Sequence, residues 1–360
     1  MSDTISRTDL FTGTMPVAER QRFDVGALEA YLRANIEGFV GPMTVEQFKG
    51  GQSNPTFKLV TPNTSYVLRS KPGPAAKLLP SAHAIEREFR VMHALAGTDV
   101  PVAKMHTLCE DESVIGRAFY VMDCVEGRVL WEPQLPGIQP AERAAIFDEM
   151  NRVLCALHTV NFAAAGLSDY GRHDGYLSRQ IARWSKQYRA SETEPIAAMD
   201  ALIEWLPAHI PAGEETSIVH GDYRLDNVIF HPTEPKILAV LDWELSTLGH
   251  PLADFAYHCM AWYLPPGAGR GLGGIDITGS GIPSIKDYTA RYCERTHRAD
   301  GIPNFEFYMA FNMFRMAGIL QGILKRVVDG TAASAQAVAM GNSTRPIAEQ
   351  AWAVAQKIRQ

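Results

Sequence analysis

The apolar positions of this chain change period partway along it. Residues 1–22 are polar and aperiodic, and regular pattern begins with FDVGALEAYLRANI, where Phe23, Leu28, Leu32 and Ile36 recur at helical spacing after a capping Asp24. Two short strand-like runs follow, TFKLV at 56–60 and SYVLR at 65–69, and the turn-rich Thr61-Pro62-Asn63-Thr64 between them predicts a hairpin. Ahead of it lies Gly50-Gly51-Gln52-Ser53-Asn54, a loop of small residues that lets backbone come close to a ligand. AIEREFRVMHALAG then predicts an amphipathic helix with Ile85, Phe89, Met92 and Leu95 on one face, Gly97 at its end, and Glu86 and Glu88 leaving in different directions. Further strands near 102–108 and 116–122 make this half antiparallel, and residues 123–127 serve as a connector. Beyond it the pattern turns helical, over 141–160, 175–190, 196–206, 284–298, 304–328 and 346–358. The last long apolar run is broken by Glu306, Asn312, Arg315, Gln321, Lys325 and Arg326, so a buried core helix is expected rather than a membrane span.

A chain of 360 residues exceeds one typical core, and the change of period suggests a tail (1–22), a sheet-rich domain (23–126) and a mainly helical domain (127–360). With 46% hydrophobic and 21% charged residues, extensive disorder is not expected. A net charge of -6 gives no basic surface for nucleic acid. The five cysteines, Cys109, Cys124, Cys155, Cys259 and Cys293, show no metal-ligand spacing and read as reduced, mostly buried thiols. No signal peptide is visible at the N-terminus, and a cytoplasmic location is expected. The Gly-rich run 267–281 lacks a Gly-Lys-Ser/Thr ending, which makes it a surface loop or substrate-side lid rather than a Walker loop.

The concentrated chemistry lies in VHGDYRLDNVIF, residues 219–230, whose apolar ends read as strand edges around a polar loop. Asn227 stands five residues after Asp222, Asp242 fifteen after Asn227, and Asp254 twelve after Asp242. KILAVLDW reads as a buried strand delivering Asp242 at its end. Such a set suits phosphoryl transfer from a metal-bound nucleotide: one carboxylate meets the incoming hydroxyl, while an amide and a second carboxylate offer hard oxygen ligands to Mg²⁺.

VHGDYRLDNVIF together with AVLDWELSTLGHPLADFAY resembles the aminoglycoside phosphotransferase family over roughly residues 25–355. GGQSNPTF, YVLRSKPG and DWELSTLGHPLADFAY resemble most the branch fused ahead of acyl-CoA dehydrogenase domains. The resemblance implies an α+β, protein-kinase-like bilobal fold, with an antiparallel sheet and helix in the N-lobe and a mainly helical C-lobe. It implies a kinase that uses ATP and Mg²⁺ to phosphorylate a small-molecule hydroxyl. Asp222 would then be the catalytic base, Asn227 and Asp242 the metal ligands, and His220 a brace for the loop, with Asp254 structural. Gly51, Ser53 and Asn54 would cover the phosphates, Arg69 would stand in the place of the family's nucleotide-binding Lys with Glu88 as its partner, and Asp123 and Val125 would meet the adenine through backbone atoms. Arg69 is a departure, because Arg and Lys are not interchangeable at such a site; Lys58 and Lys71 are alternative phosphate contacts. His158 reads as a packed or capping histidine, and Arg224 as a surface charge or an acceptor contact.

The acceptor is less legible. Residues 258–360 carry 11 Lys and Arg against 7 Asp and Glu, which tilts away from a polycation such as an aminoglycoside. With the resemblance, this favours a hydroxy acid or hydroxyacyl-CoA over choline-like or amino-alcohol acceptors. A nucleotide-binding regulatory module without turnover is the reading from another class. No nucleic acid or membrane partner is expected, and the sequence carries no signal for oligomeric state.

Overall fold

Period-two alternation in the N-terminal third builds one antiparallel sheet. The structure, a computed structural model, describes residues 12–49, 54–72, 84–266, 271–331 and 335–358. Strands β1 (Thr14–Met15), β2 (Thr44–Phe48), β3 (Thr56–Val60), β4 (Ser65–Ser70), β5 (Met105–Cys109) and β6 (Phe119–Asp123) lie in the order β1-β2-β3-β4-β6-β5. The predicted hairpin is β3 and β4, paired from Thr56↔Arg69 to Val60↔Ser65. Helix α1 (Val25–Asn35) starts at Asp24, whose carboxylate accepts from the Ala27 N–H at 2.9 Å. Its Leu28 and Leu32 join Phe57, Leu59, Leu68, Phe119 and Val121 in a core on one face of the sheet. Because side chains alternate along a strand, Leu68 enters this core while Arg69 turns to the other face, beside its register partner Tyr120.

Helix α2 (Ile85–Leu95) packs against β5 and β6. Its buried stripe is Ile85, Glu88, Val91, Met92 and Leu95, so an acidic residue takes a place in the apolar face, and Phe89 is only half-buried. Strand β2 is an element that the pattern of residues did not reveal, because beyond the exposed Thr44 its positions are half-buried on both faces.

Four short strands follow, β7 (Ser217–Val219), β8 (Val228–Phe230), β9 (Ile237–Val240) and β10 (Thr247–Gly249), forming two antiparallel ribbons nested in sequence, β8 with β9 and β7 with β10. The chain divides into two compact units. One comprises Met1–Trp131, Ala163–Leu167 and Arg224–Ser246, and so includes β8 and β9; the other comprises Glu132–Phe162, Ser168–Tyr223 and Thr247–Gln360.

The second unit holds α3 (Pro140–Thr159), α4 (Tyr176–Ser191), α5 (Ala197–Ala208), α6 (Pro251–Cys259), α7 (Ile285–Arg295), α8 (Phe305–Val328), α9 (Ala335–Gly341) and α10 (Thr344–Ala355). Helix α8 is the long apolar run, and α4, α6, α9 and α10 pack around it as a core helix. Among the described residues no helix is long and apolar enough to cross a membrane. Helix α6 escapes the periodicity reading because every one of its residues is buried, which leaves no polar stripe. The described end of the Gly-rich run is tied down rather than loose. Leu272 and Gly273 donate to the Ala261 and Leu264 carbonyls at 2.6 and 2.7 Å, and a Cβ at Gly271 would lie 2.0 Å from the Leu264 oxygen.

Two buried histidines of this unit are held neutral. Burial pushes both His250 and His258 down to about 4. The His258 ring sits between the Tyr288 hydroxyl at 2.7 Å and the Tyr223 carbonyl at 3.3 Å. The folded state therefore refuses protons that the unfolded chain accepts near pH 6.5, so stability is present above that pH and lost as pH falls toward 4. We expect about 2 kcal/mol of loss per histidine at pH 5. Urea midpoints followed from pH 7 to pH 5 check this, and His258→Gln is expected to remove about half of the slope; a flat wild-type profile would contradict it.

Candidate active site

In the first unit the site is built around Glu88. This carboxylate is 1% exposed, accepts hydrogen bonds from Asn54 Nδ2 at 2.8 Å and the Tyr120 hydroxyl at 3.0 Å, and is ion-paired with Arg69, whose Nε lies 2.9 Å away. Burial pushes the Glu88 carboxyl up, against the Arg69 charge and the hydrogen bonds from Tyr120 and Asn54. Burial also disfavours the charge of Arg69, but Glu88, Asp242 and Glu244 outweigh it and hold the guanidinium above the ordinary arginine value. The other end of Arg69 donates from Nη2 to Asp242 Oδ1 at 2.9 Å and lies 3.6 Å from Glu244 Oε2. One guanidinium thus joins three carboxylates, a task that suits its planar fork and not an ammonium.

Asp242 follows β9 in a left-handed conformation, φ 61° and ψ 60°, which is costly for a residue with a Cβ. The next turn is fastened by Trp243, buried and donating from Nε1 to the Val240 carbonyl at 3.0 Å, and by Ser246 Oγ on the Trp243 carbonyl at 2.6 Å. The Asp242 side chain stays 38% exposed. In the β8/β9 ribbon Val228 pairs with Val240, and Leu241 N–H donates to the Asn227 carbonyl at 2.8 Å. Asn227 and Asp242 therefore leave the ribbon at the same end. An amide oxygen and a partly exposed carboxylate are hard donors of the kind that suit Mg²⁺.

The remaining residues singled out in this unit are placed as follows. Gly51 and Ser53 lie outside the described residues. Asn54 is fully buried and directs its amide to Glu88. Asp123 ends β6; its N–H donates to the Lys104 carbonyl at 2.9 Å and its carboxylate meets His106 Nε2 at 2.6 Å. Val125 follows in the half-buried connector. Lys58 lies 3.9 Å from Glu126, and Lys71 pairs with Glu86. Of the three cations considered, Arg69 is the one joined to Glu88 and Asp242.

In the second unit Asp254, on α6, organises the polar loop that follows β7. Its Oδ2 accepts from the His220 N–H and its Oδ1 from the Gly221 N–H, each at 2.8 Å, and His158 Nε2 lies 3.2 Å from Oδ2. Burial alone would raise the Asp254 carboxyl; the hydrogen bond and charge of His158 and the His220 N–H hold it below the usual range. His220 is fully buried, and its Nδ1 accepts from the Asp222 N–H at 3.2 Å. Gly221 has φ +82°, a value open to glycine at little cost. Its carbonyl accepts from Arg315 Nη2 at 2.9 Å. Asp222 is half-buried, and its Oδ1 accepts a short hydrogen bond from the Tyr257 hydroxyl.

Tyr257, Arg315, Glu244 and Tyr120 are site residues that the sequence reading missed, and His158 proves to be a partner of Asp254. Tyr257 had a signal, since it lies three residues after Asp254 and so on the same face of α6. Arg315 was visible as a charge in an apolar run, but nothing local ties it to Gly221. Arg224 lies 3.5 Å from Asp226 Oδ2.

The chain is similar to known phosphotransferases. Residues 44–289 match the model of the phosphotransferase enzyme family. Acyl-CoA dehydrogenase family member 10 of Mus musculus is 49% identical over 350 residues, which are 96% of this chain but 32% of that protein, so the chain spans about a third of this curated relative. A crystal structure from Ralstonia eutropha JMP134, assigned to the aminoglycoside phosphotransferases, is 62% identical with a TM-score of 0.88, covering 94% of this chain and 100% of that one. At 15% identity, a structure of aminoglycoside phosphotransferase APH(4)-Ia shares the fold, with a TM-score of 0.60 over 91% of this chain and 98% of its own. The antiparallel sheet with its helix and the helical second unit are thus those of a protein-kinase-like fold. Since the family match takes in both the Arg69 cluster and the loop of Asp222, the chain belongs to the phosphotransferase enzyme family, small-molecule phosphotransferases that take a hydroxyl group as acceptor.

Proposed function

We propose that this chain transfers the γ-phosphate of ATP, bound with Mg²⁺, to the hydroxyl of a small molecule, a hydroxy acid or hydroxyacyl-CoA. The observation that carries this reading is the delivery of Asn227 and Asp242 to one end of the β8/β9 ribbon, with Arg69 donating to Asp242. In this reading residues 23–126 bind nucleotide, residues 127–360 supply the catalytic loop and acceptor site, 1–22 is a tail, and the protein works in the cytoplasm. The APH(4)-Ia structure, a complex with ADP and hygromycin B, supports the pairing of a nucleotide with a small acceptor.

Asn227 and Asp242 would hold Mg²⁺, which when bound neutralises phosphate charge. Arg69, positioned by Glu88, would face the phosphates, which Gly51 and Ser53 would cover, while Asn54, expected from the sequence to join them, is buried with its amide on Glu88. The Asp123 carbonyl and the Val125 N–H would meet the adenine, the Asp123 N–H being already committed to Lys104. Asp222 would accept the proton of the acceptor hydroxyl as its oxygen attacks phosphorus and the bond to ADP breaks. His220, Gly221 and Asp254 keep Asp222 in place, because positioning is most of what this reaction asks of a protein.

Two outcomes check the assignment. Asp222→Asn should lower kcat by about 100-fold or more with the KM for ATP nearly unchanged, measured as ADP release against a panel of hydroxy acids, hydroxyacyl-CoA, amino alcohols and an aminoglycoside. Nucleotide binding with Mg²⁺ present and no acceptor phosphorylated would instead mark a regulatory module. Arg69→Lys should cut kcat/KM for ATP by about tenfold and raise the Mg²⁺ concentration needed for half-maximal rate, since an ammonium cannot join Glu88 and Asp242 at once. An unchanged Mg²⁺ titration would remove Arg69 from the site.

A further inference from the structure

The polar stretch ahead of α1 is fastened to the first unit from Thr12 to Gln21. Strand β1 adds to the outer edge of the sheet, with Thr14 opposite Phe48 and Met15 opposite Gln47 of β2. Three further bonds close this seam. Thr14 Oγ1 donates to Glu46 Oε2 at 2.6 Å, the Ala18 N–H to Gln47 Oε1 at 3.0 Å, and the Lys49 N–H to the Gly13 carbonyl at 3.2 Å. At one end of the stretch Arg117, which is 4% exposed, clasps Gln21: Nη1 donates to Gln21 Oε1 at 2.6 Å and Nη2 to the Gln21 carbonyl at 2.5 Å. The guanidinium carbon lies 5.5 Å from the Phe23 ring centre and 5.7 Å from that of Phe57, so the clasp is set into the aromatic edge of the core. At the other end the Trp131 indole N–H donates to Thr12 Oγ1 at 3.3 Å. Covering a sheet edge asks for less than this, since one charge or a bulge blunts an edge.

What the two ends touch points to a further role. In the nucleotide reading above, the adenine meets Asp123 and Val125, and the phosphates meet the run that begins in sequence immediately after Lys49. Trp131 stands six residues beyond Val125. Thr12 is bonded to Trp131 and its neighbour Gly13 to Lys49, so one dipeptide ties the chain just past the base to the chain just before the phosphates. We infer that residues 12–21 are a strap of the nucleotide site, which holds Lys49 and Trp131 at a fixed spacing beside the nucleotide's sugar and is anchored by Arg117. This rests on the nucleotide reading above and adds Thr12, Gly13 and Thr14 to it as positioning residues. A site held in its binding geometry beforehand spares the ligand the cost of ordering it, so the strap acts on nucleotide affinity.

The test reads the affinity for ADP with Mg²⁺ by calorimetry, which needs no acceptor, on full-length proteins whose fold is checked by circular dichroism. Thr14→Asp sets a second carboxylate against Glu46 across the seam and should raise the Kd for ADP about tenfold. Adding Glu46→Gln gives that carboxylate a donor in place of a repelling charge and should bring Kd back to within about twofold of wild type, a rescue that general damage to the sheet would not show. Where turnover is measured, the loss should fall on the KM for ATP rather than on kcat. Should Thr14→Asp fail to fold, Thr12→Val decides: it removes only the acceptor of the Trp131 bond and should raise Kd about threefold. Unchanged affinity in the folded variants, or a loss that Glu46→Gln does not reverse, would overturn the strap and leave the nucleotide reading intact. Wild-type protein that binds no ADP would overturn both.

Discussion

A carboxylate taken out of water must be given hydrogen bonds or a cation, and each unit of this protein is organised around one that is so satisfied. In the first unit Glu88 sits in the apolar stripe of α2 and collects Asn54, Tyr120 and Arg69. In the second, Asp254 sits in the wholly buried α6 and collects two successive backbone N–H groups and His158. Breaking a buried pair by removing one partner costs about 3–5 kcal/mol, so these groups bind their surroundings tightly to one arrangement. Neither carboxylate is itself assigned to the chemistry. Each fixes the residue that is.

The two cases differ in what is fixed. Glu88 holds Arg69 at one end so that the other end of the guanidinium reaches Asp242, a residue already confined to a left-handed backbone conformation. Asp254 acts instead through backbone, pulling His220 and Gly221 into a turn that leaves Asp222 half-buried and within reach of Tyr257. Reactions that depend on positioning and charge neutralisation reward this kind of rigidity. It also explains why the polar loop is flanked by β7 and β8, whose Val219, Val228 and Phe230 are fully buried.

Much of the fold was legible wherever one face of an element is apolar and the other wet. The β3/β4 hairpin, α2 and the helices of the second unit carry that contrast. β2 and α6 do not, the first half-buried on both faces from Val45 to Phe48 and the second buried on all sides, and a period cannot be read from residues that share one environment. The motif from His220 to Asp254 was legible because its spacing is local and its residue types are chemically specific. Tyr257 was signalled only by its spacing from Asp254, and Arg315 not at all, since an arginine in a helix has ordinary uses and its bond to Gly221 is made only by the packing of α8 in the second unit.

By itself, then, the sequence determined the reaction class, through the identities and order of Asp222, Asn227 and Asp242, and the layout of a sheet-rich half before a helical one, through the change from period two to period 3.6. Tertiary structure decided the partners: that Arg69 joins Glu88 to Asp242, that Asn54 serves Glu88, that His158 supports Asp254, and that Arg315 is buried against Tyr257 and bonded to Gly221. The physical reason is that periodicity and motif spacing are properties of neighbours along the chain, whereas the pairing of buried charges is settled between elements far apart in sequence, where desolvation makes each missing partner costly.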